Sequence, residues 1–126
     1  MARCGDGFAA GGDLLKAALD AAAQVRGALA GVVPDLACVF VTGSDHAGVE
    51  AALLLAAERI GAATTIGCSA YGVIGSGQAA EASTSVSAWA AYLPGVRLRA
   101  FHLEVLRTPD SIAVVRKCCS MFAFAT

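Results

Sequence analysis

The chain has 126 residues, 57% hydrophobic and 15% charged, with a mean hydropathy of +0.67, which fits one domain with a modest core and excludes disorder throughout. A net charge of -1 without any basic cluster leaves nucleic acid no electrostatic footprint. The longest apolar run, Ala51 to Ala57, is far below the roughly 20 residues needed to cross a bilayer, so the chain reads as soluble, with no membrane partner.

Alanine supplies 29 residues, so large core side chains are scarcer than the hydrophobic percentage implies. Asp6, Asp13, Lys16 and Asp20 interrupt any apolar targeting segment near the N-terminus, and no signal peptide is expected. The cysteines Cys4, Cys38, Cys68, Cys118 and Cys119 are odd in number and form no C-x-x-C pair. That pattern points to reduced thiols in the cytoplasm, without a disulfide framework, metal site or cofactor.

From Asp13 to Ala30, Leu15, Ala18, Ala22, Val25 and Leu29 share one helical face, with Asp13 as N-cap and Gly31 as a left-handed stop. The apolar run Leu36 to Val41 reads as a buried strand covered on both faces, with Cys38 packing as a small hydrophobe. Ala47 to Ile60 repeats Val49, Leu53 and Ala57 at helical spacing, with Leu54 and Ile60 alongside, and ends at Gly61. Ala63 to Ile66 is a second, β-branched strand.

Strand, helix and strand in this order predict a parallel pair with a right-handed crossover, the first helix covering the opposite face. Gly67 to Gly77 is glycine-rich and irregular. Beyond it, Ser83 to Ala90 and Val96 to Val105 predict an antiparallel pair across the Pro94-Gly95 turn. Pro109 to Val115 begins a further strand, whereas Arg116 to Thr126 has a different texture. The expected class is α/β, with a mixed sheet and helices packed on it.

The glycine-rich stretch carries the candidate chemistry. Gly67-x4-Gly72 lacks the Lys and hydroxyl of a phosphate-binding loop, since Val73 and Ile74 follow. Gly67-Cys68-Ser69-Ala70-Tyr71 approaches a nucleophile elbow but carries Tyr71 at the second glycine position. An alternative reading is a small hydrolase or transferase using Cys68 or Ser69, with His46 or His102 as base. Another is a structural remnant without independent function.

The ligand-site reading joins the carboxyl ends of the two strands, the usual binding edge of parallel sheets. Thr42, Ser44, Asp45 and His46 would face Gly67, Cys68, Ser69 and Gly72, a pocket for a small polar or anionic molecule such as an amino acid. Against it, Ser44 or Asp45 can serve simply as a helix cap. Trp89 and Tyr92 read as packing aromatics.

Pro34 to Val41, Thr65 to Ile74 and Ser85 to Ala90 together resemble the N-terminal part of the FIST domain family, named for F-box and intracellular signal transduction. The likeness spans about Phe8 to Val115. It implies an intracellular sensory module that binds small ligands and passes occupancy to attached signalling domains, with no enzymatic activity implied. Such proteins look longer, with a C-terminal FIST segment, and Arg116 to Thr126 does not resemble the expected continuation. Residues 1–115 are therefore expected to be an incomplete domain and 116–126 an atypical tail. The partners implied are a small ligand and either a C-terminal FIST segment or a signalling domain. A sheet left incomplete would expose an unpaired edge and an apolar surface prone to association, worsened by Cys118, Cys119, Phe122 and Phe124.

Overall fold

The computed structural model describes residues 1–81, 83–117 and 122–125. In chain order they form β1 (Arg3–Ala10), α1 (Leu14–Leu29), β2 (Leu36–Thr42), α2 (His46–Ile60), β3 (Thr64–Ser69), β4 (Gly72–Gly75) and β5 (Gln78–Glu81), then β6 (Ser85–Tyr92), β7 (His102–Arg107), β8 (Ile112–Lys117) and β9 (Phe122–Ala125). The main sheet runs β1-β6-β2-β3-β9, beside the two-stranded ribbons β4-β5 and β7-β8. The class is α/β with a mixed sheet: β3 is parallel to β2 and β9, and β6 is antiparallel to β1 and β2. Cys118 and Cys119, counted among the association liabilities, lie outside the described residues.

Two expectations about arrangement are corrected. The strand Ser85–Tyr92 does not pair with the segment following Pro94-Gly95, because β1 and β2 occupy both its edges and β7 pairs with β8 instead. The signal for β1 is weak, since Gly5 and Gly7 replace the apolar residues that would alternate. The helices also lie on the same face. Both β1 and β2 are antiparallel to β6, hence parallel to each other, and the crossovers β1-α1-β2 and β2-α2-β3 advance in one direction across the sheet. Right-handed connections then place both helices on one side.

That side holds the core: Ala18, Ala21, Ala22, Val25 and Leu29 of α1 and Val49, Ala52, Leu53, Ala56 and Ile60 of α2 meet Ala37, Val39, Val41, Val86, Ala88 and Ala90. Leu15 and Leu54, both 45% exposed, fall off the buried stripes. On β2 the burial alternates, and Phe40 points to the other face at 39% exposure. The expected cover on both sides of this strand is therefore absent at Phe40.

Helix ends follow their local chemistry. The Asp13 carboxylate accepts from the Leu15 and Lys16 amides, and Asp45 accepts from Ala47 and Gly48, satisfying donors that the first turn leaves free. Gly61 closes α2 in the left-handed region at φ 69°. In α1 the left-handed turn begins one residue before the expected glycine, at Ala30 with φ 51°. Helix α1 also shields the sheet edge: the Gln24 amide donates to the Phe8 carbonyl and accepts from the Phe8 N–H, each at 2.9 Å. Those two bonds occupy backbone groups that another strand would otherwise pair with.

The β4-β5 ribbon covers part of the other sheet face. Its turn places Ser76 at φ 49° and Gly77 at φ 73°, the paired positive values of a type I′ hairpin. The Ser76 N–H and hydroxyl donate to Asp6, and the Ser87 hydroxyl donates to the Ile74 carbonyl at 2.7 Å. Val73 is buried beneath the ribbon.

Thr65 is 1% exposed, and its hydroxyl has no hydrogen-bond partner among the described residues. Valine has nearly the same shape and carries no polar group to desolvate. Thr65→Val is therefore expected to stabilise the fold by about 1 kcal/mol in urea unfolding. A loss of stability would mean that the hydroxyl is satisfied.

Candidate functional site

The site is built where β2 and β3 end. Chain reversal at Gly43 leads into α2, while Ala70 donates its N–H to the Val41 carbonyl at 2.8 Å and carries the β2-β3 ladder one step further. Because β6 runs antiparallel to β2, its entry at Ser83 and Thr84 comes to this same edge. These three segments enclose two adjoining cavities. One, of about 370 Å³, is lined by Thr42, Gly43, Ser44, Ala70, Tyr71, Ser83 and Thr84. The other, of about 260 Å³, is lined by Gly43, Ser44, His46, Val49, Ser69, Ala70 and Tyr71.

The structure thus brings together Thr42, Ser44, His46 and Ser69 from the sequence-derived set. Asp45 is adjacent, its carboxylate engaged at the α2 N-terminus. Gly67 sits within β3 opposite Val39, Cys68 stands opposite Phe40, and Gly72 opens β4. None of these three lines either cavity. Tyr71, Ser83 and Thr84 escaped the sequence reading. Tyr71 follows β3 directly, but only the antiparallel insertion of β6 beside β2 reveals the other two.

Thr42 is a rim-forming residue with a structural duty. It is 2% exposed, its hydroxyl lies 2.6 Å from that of the fully buried Ser85, and it donates to the Ser83 carbonyl. This triad fastens the end of β2 to the start of β6. Ser44, His46, Ser69 and Tyr71 are exposed at the mouth, leaving their polar groups accessible to a bound molecule.

The nucleophile-elbow comparison loses its structural context, because Ser69 is followed by strand β4 and the elbow needs a helix there. Cys68 and Cys38 face away from the helices, toward Phe40 and Trp89. Cys38 is half-buried, and burial pushes its thiol pKa up, which lowers the thiolate fraction and therefore reactivity. Of the two candidate bases, His46 lines a cavity with Ser69, whereas His102 lies on β7. No metal-holding cluster of His, Cys, Asp or Glu occurs among the described residues.

Residues 35–123 match the FIST N domain, which takes in β2, α2, both site loops and the later strands. The chain belongs to the FIST family. This is a family of sensory domains in signal transduction. Two proteins of Mycobacterium tuberculosis, the uncharacterized protein Rv0628c of strain H37Rv and the uncharacterized protein MT0656 of strain CDC 1551, are each 35% identical over 107 residues. The alignment covers 84% of this chain and 27% of each relative, so the FIST chain described here spans about a quarter of their length. No solved structure matches it. Among the described residues, no helix is long and apolar enough to cross a membrane.

Proposed function

We propose that this FIST chain is a cytoplasmic ligand-sensing module that binds a small polar metabolite, an amino acid foremost, and passes its occupancy to a signalling domain. The observation that carries this reading is the pair of adjoining cavities at the carboxyl ends of β2 and β3. The larger, at about 370 Å³, falls in the range of small-molecule sites, roughly 300–1,000 Å³. Hydroxyls from Ser44, Ser69, Tyr71, Ser83 and Thr84 and the imidazole of His46 supply directional contacts. In this reading Thr42 and Asp45 hold the two walls, and Gly67, Cys68 and Gly72 carry the chain into and out of the loop.

Thermal unfolding of the purified chain with each of the common amino acids and a set of small carboxylates tests the proposal. A ligand at a hundredfold excess over its Kd adds about 2.7 kcal/mol, an upward midpoint shift on the order of 10 °C for this size. The expected result is a shift by one chemical class, abolished by the double variant Ser44→Ala and Ser69→Ala. Midpoints that no compound moves, or a shift that survives the double variant, would overturn the assignment.

A further inference from the structure

The residues that enclose the paired cavities are held in two different ways. The Val41 and Thr84 carbonyls accept from the Ala70 and Gly11 amides at 2.8 and 3.0 Å, and the Thr42 hydroxyl donates to the Ser83 carbonyl. Ala70, Ser83 and Thr84 are thereby fastened to the main sheet or to the chain just past β1. Tyr71 differs: it lines both cavities yet is 79% exposed, and the chain leads from it straight into β4. Its position at the mouth follows the β4-β5 ribbon.

That ribbon meets the sheet at a few separate points. Val73 is buried, and the Ser87 hydroxyl donates to the Ile74 carbonyl at 2.7 Å. Gly75 lies so close to the sheet that a Cβ there would stand 2.6 Å from the Ser87 Oγ and 3.4 Å from the Gly7 carbonyl oxygen. At the tip, the Ser76 N–H and hydroxyl both donate to one oxygen of the Asp6 carboxylate, at 2.8 and 3.1 Å. Bonds to a carboxylate are stronger than neutral ones, and these hold a serine at φ 49°, where glycine or asparagine is favoured. A two-stranded ribbon is marginally stable by itself, so these anchors decide whether it stays docked.

We infer, resting on the ligand-binding role proposed above, that the β4-β5 ribbon is a latch on that site. Asp6 and Ser76 are its positioning residues, holding Tyr71 at the cavity mouth from roughly 16 Å away along the strand. Both cavities, with Tyr71 on their walls, are formed while the ribbon is docked. A molecule that fits them favours the docked state, so its binding tightens the clasp. By reciprocity, loosening the clasp weakens binding. Occupancy thereby reaches the sheet face opposite the helices, where Asp6 stands beside Trp89 in the register.

Two variants loosen the ribbon from positions that line neither cavity: Asp6→Ala removes the acceptor at the tip, and Gly75→Ala sets a Cβ against Ser87. Without any added compound, both are expected to raise the deuterium-exchange rate across residues 71–75 about tenfold, with circular dichroism unchanged. Trp89, the sole tryptophan, should become more open to acrylamide in both. Each common amino acid is then added singly at about 1 mM. One that binds the wild type is expected to bind each variant about three- to tenfold more weakly, as for a site competent in a third to a tenth of the molecules. Asp6→Asn keeps a carbonyl acceptor and is expected to recover most of that loss. Unchanged exchange at residues 71–75 in both variants overturns the latch, and so does an amino acid that wild type and variants bind equally. If no amino acid binds the wild type, the amino-acid role of the cavities fails separately. Exchange and quenching then decide the latch: faster exchange with a more quenchable Trp89 supports it, and wild-type values overturn it.

Discussion

Gly7→Ala is expected to lower stability by about 3 kcal/mol or more, a fall of roughly 10–15 °C in melting temperature for a domain of this size. A Cβ at this position would stand 2.2 Å from the Ala21 carbonyl oxygen and 3.0 Å from the Gln24 Cβ. The clash is with helix backbone, which cannot rotate aside as a flexible side chain can. Helix α1 must lift from β1 and draw Gln24 away from Phe8, where it makes two hydrogen bonds. The same substitution at Gly27 serves as the control, because a Cβ there meets nothing within 4 Å. On the exposed side of α1, Gly27→Ala removes backbone freedom from the unfolded chain and should add about 0.5–1 kcal/mol. If Gly7→Ala melted with the wild type, the close approach of α1 to β1 would be wrong.

Leu29→Ala is expected to cost about 2–5 kcal/mol, the range for emptying a fully buried leucine site. The effect is large here because of the core's composition. Among the described residues the buried helix–sheet cluster contains no aromatic residue, and Leu29, Leu53 and Ile60 are its only fully buried members larger than valine, with Leu14 and Leu55 partly buried against it. Leu29 is wholly buried beside Gly5, whose absent Cβ lets the helix backbone approach. Alanine neighbours are too small to fill the void it leaves. Leu54→Ala, at 45% exposure, should cost well under half as much. Urea unfolding of the two variants decides the matter, and equal losses would contradict the burial pattern.

Legibility in the sequence followed the range over which each feature is determined. Asp13, Asp45 and Gly61 act on amides or dihedrals within a few residues of themselves, so their roles are readable from position alone. The periodic stripes of α1 and α2 are similarly local, although Leu15 and Leu54 show that periodicity fixes a buried face only to within one residue. In the site, Thr42 to His46 and Ser69 could be placed together because a parallel pair brings its strand ends to one edge. Ser83 and Thr84 could not, since their approach depends on β6 entering between β1 and β2, a choice made across some 40 residues of chain. Strand β1 was hidden for a related reason: the glycines that make room for α1 erase the alternation by which strands are recognised.

By itself, then, the sequence determined the α/β class, the two helices with their caps, the parallel β2-β3 pair, and membership of the FIST family through motifs spread over most of the chain. These rest on short-range hydrogen bonding, side-chain periodicity and residue identity. Only the tertiary structure decided that both helices share one face, that β6 sits in the middle of the sheet, and that Phe40, Ile66 and Trp89 emerge together on the other side. Those outcomes depend on the order of strands and the handedness of crossovers, which arise from packing distant segments against one another and leave no mark on any single stretch of residues.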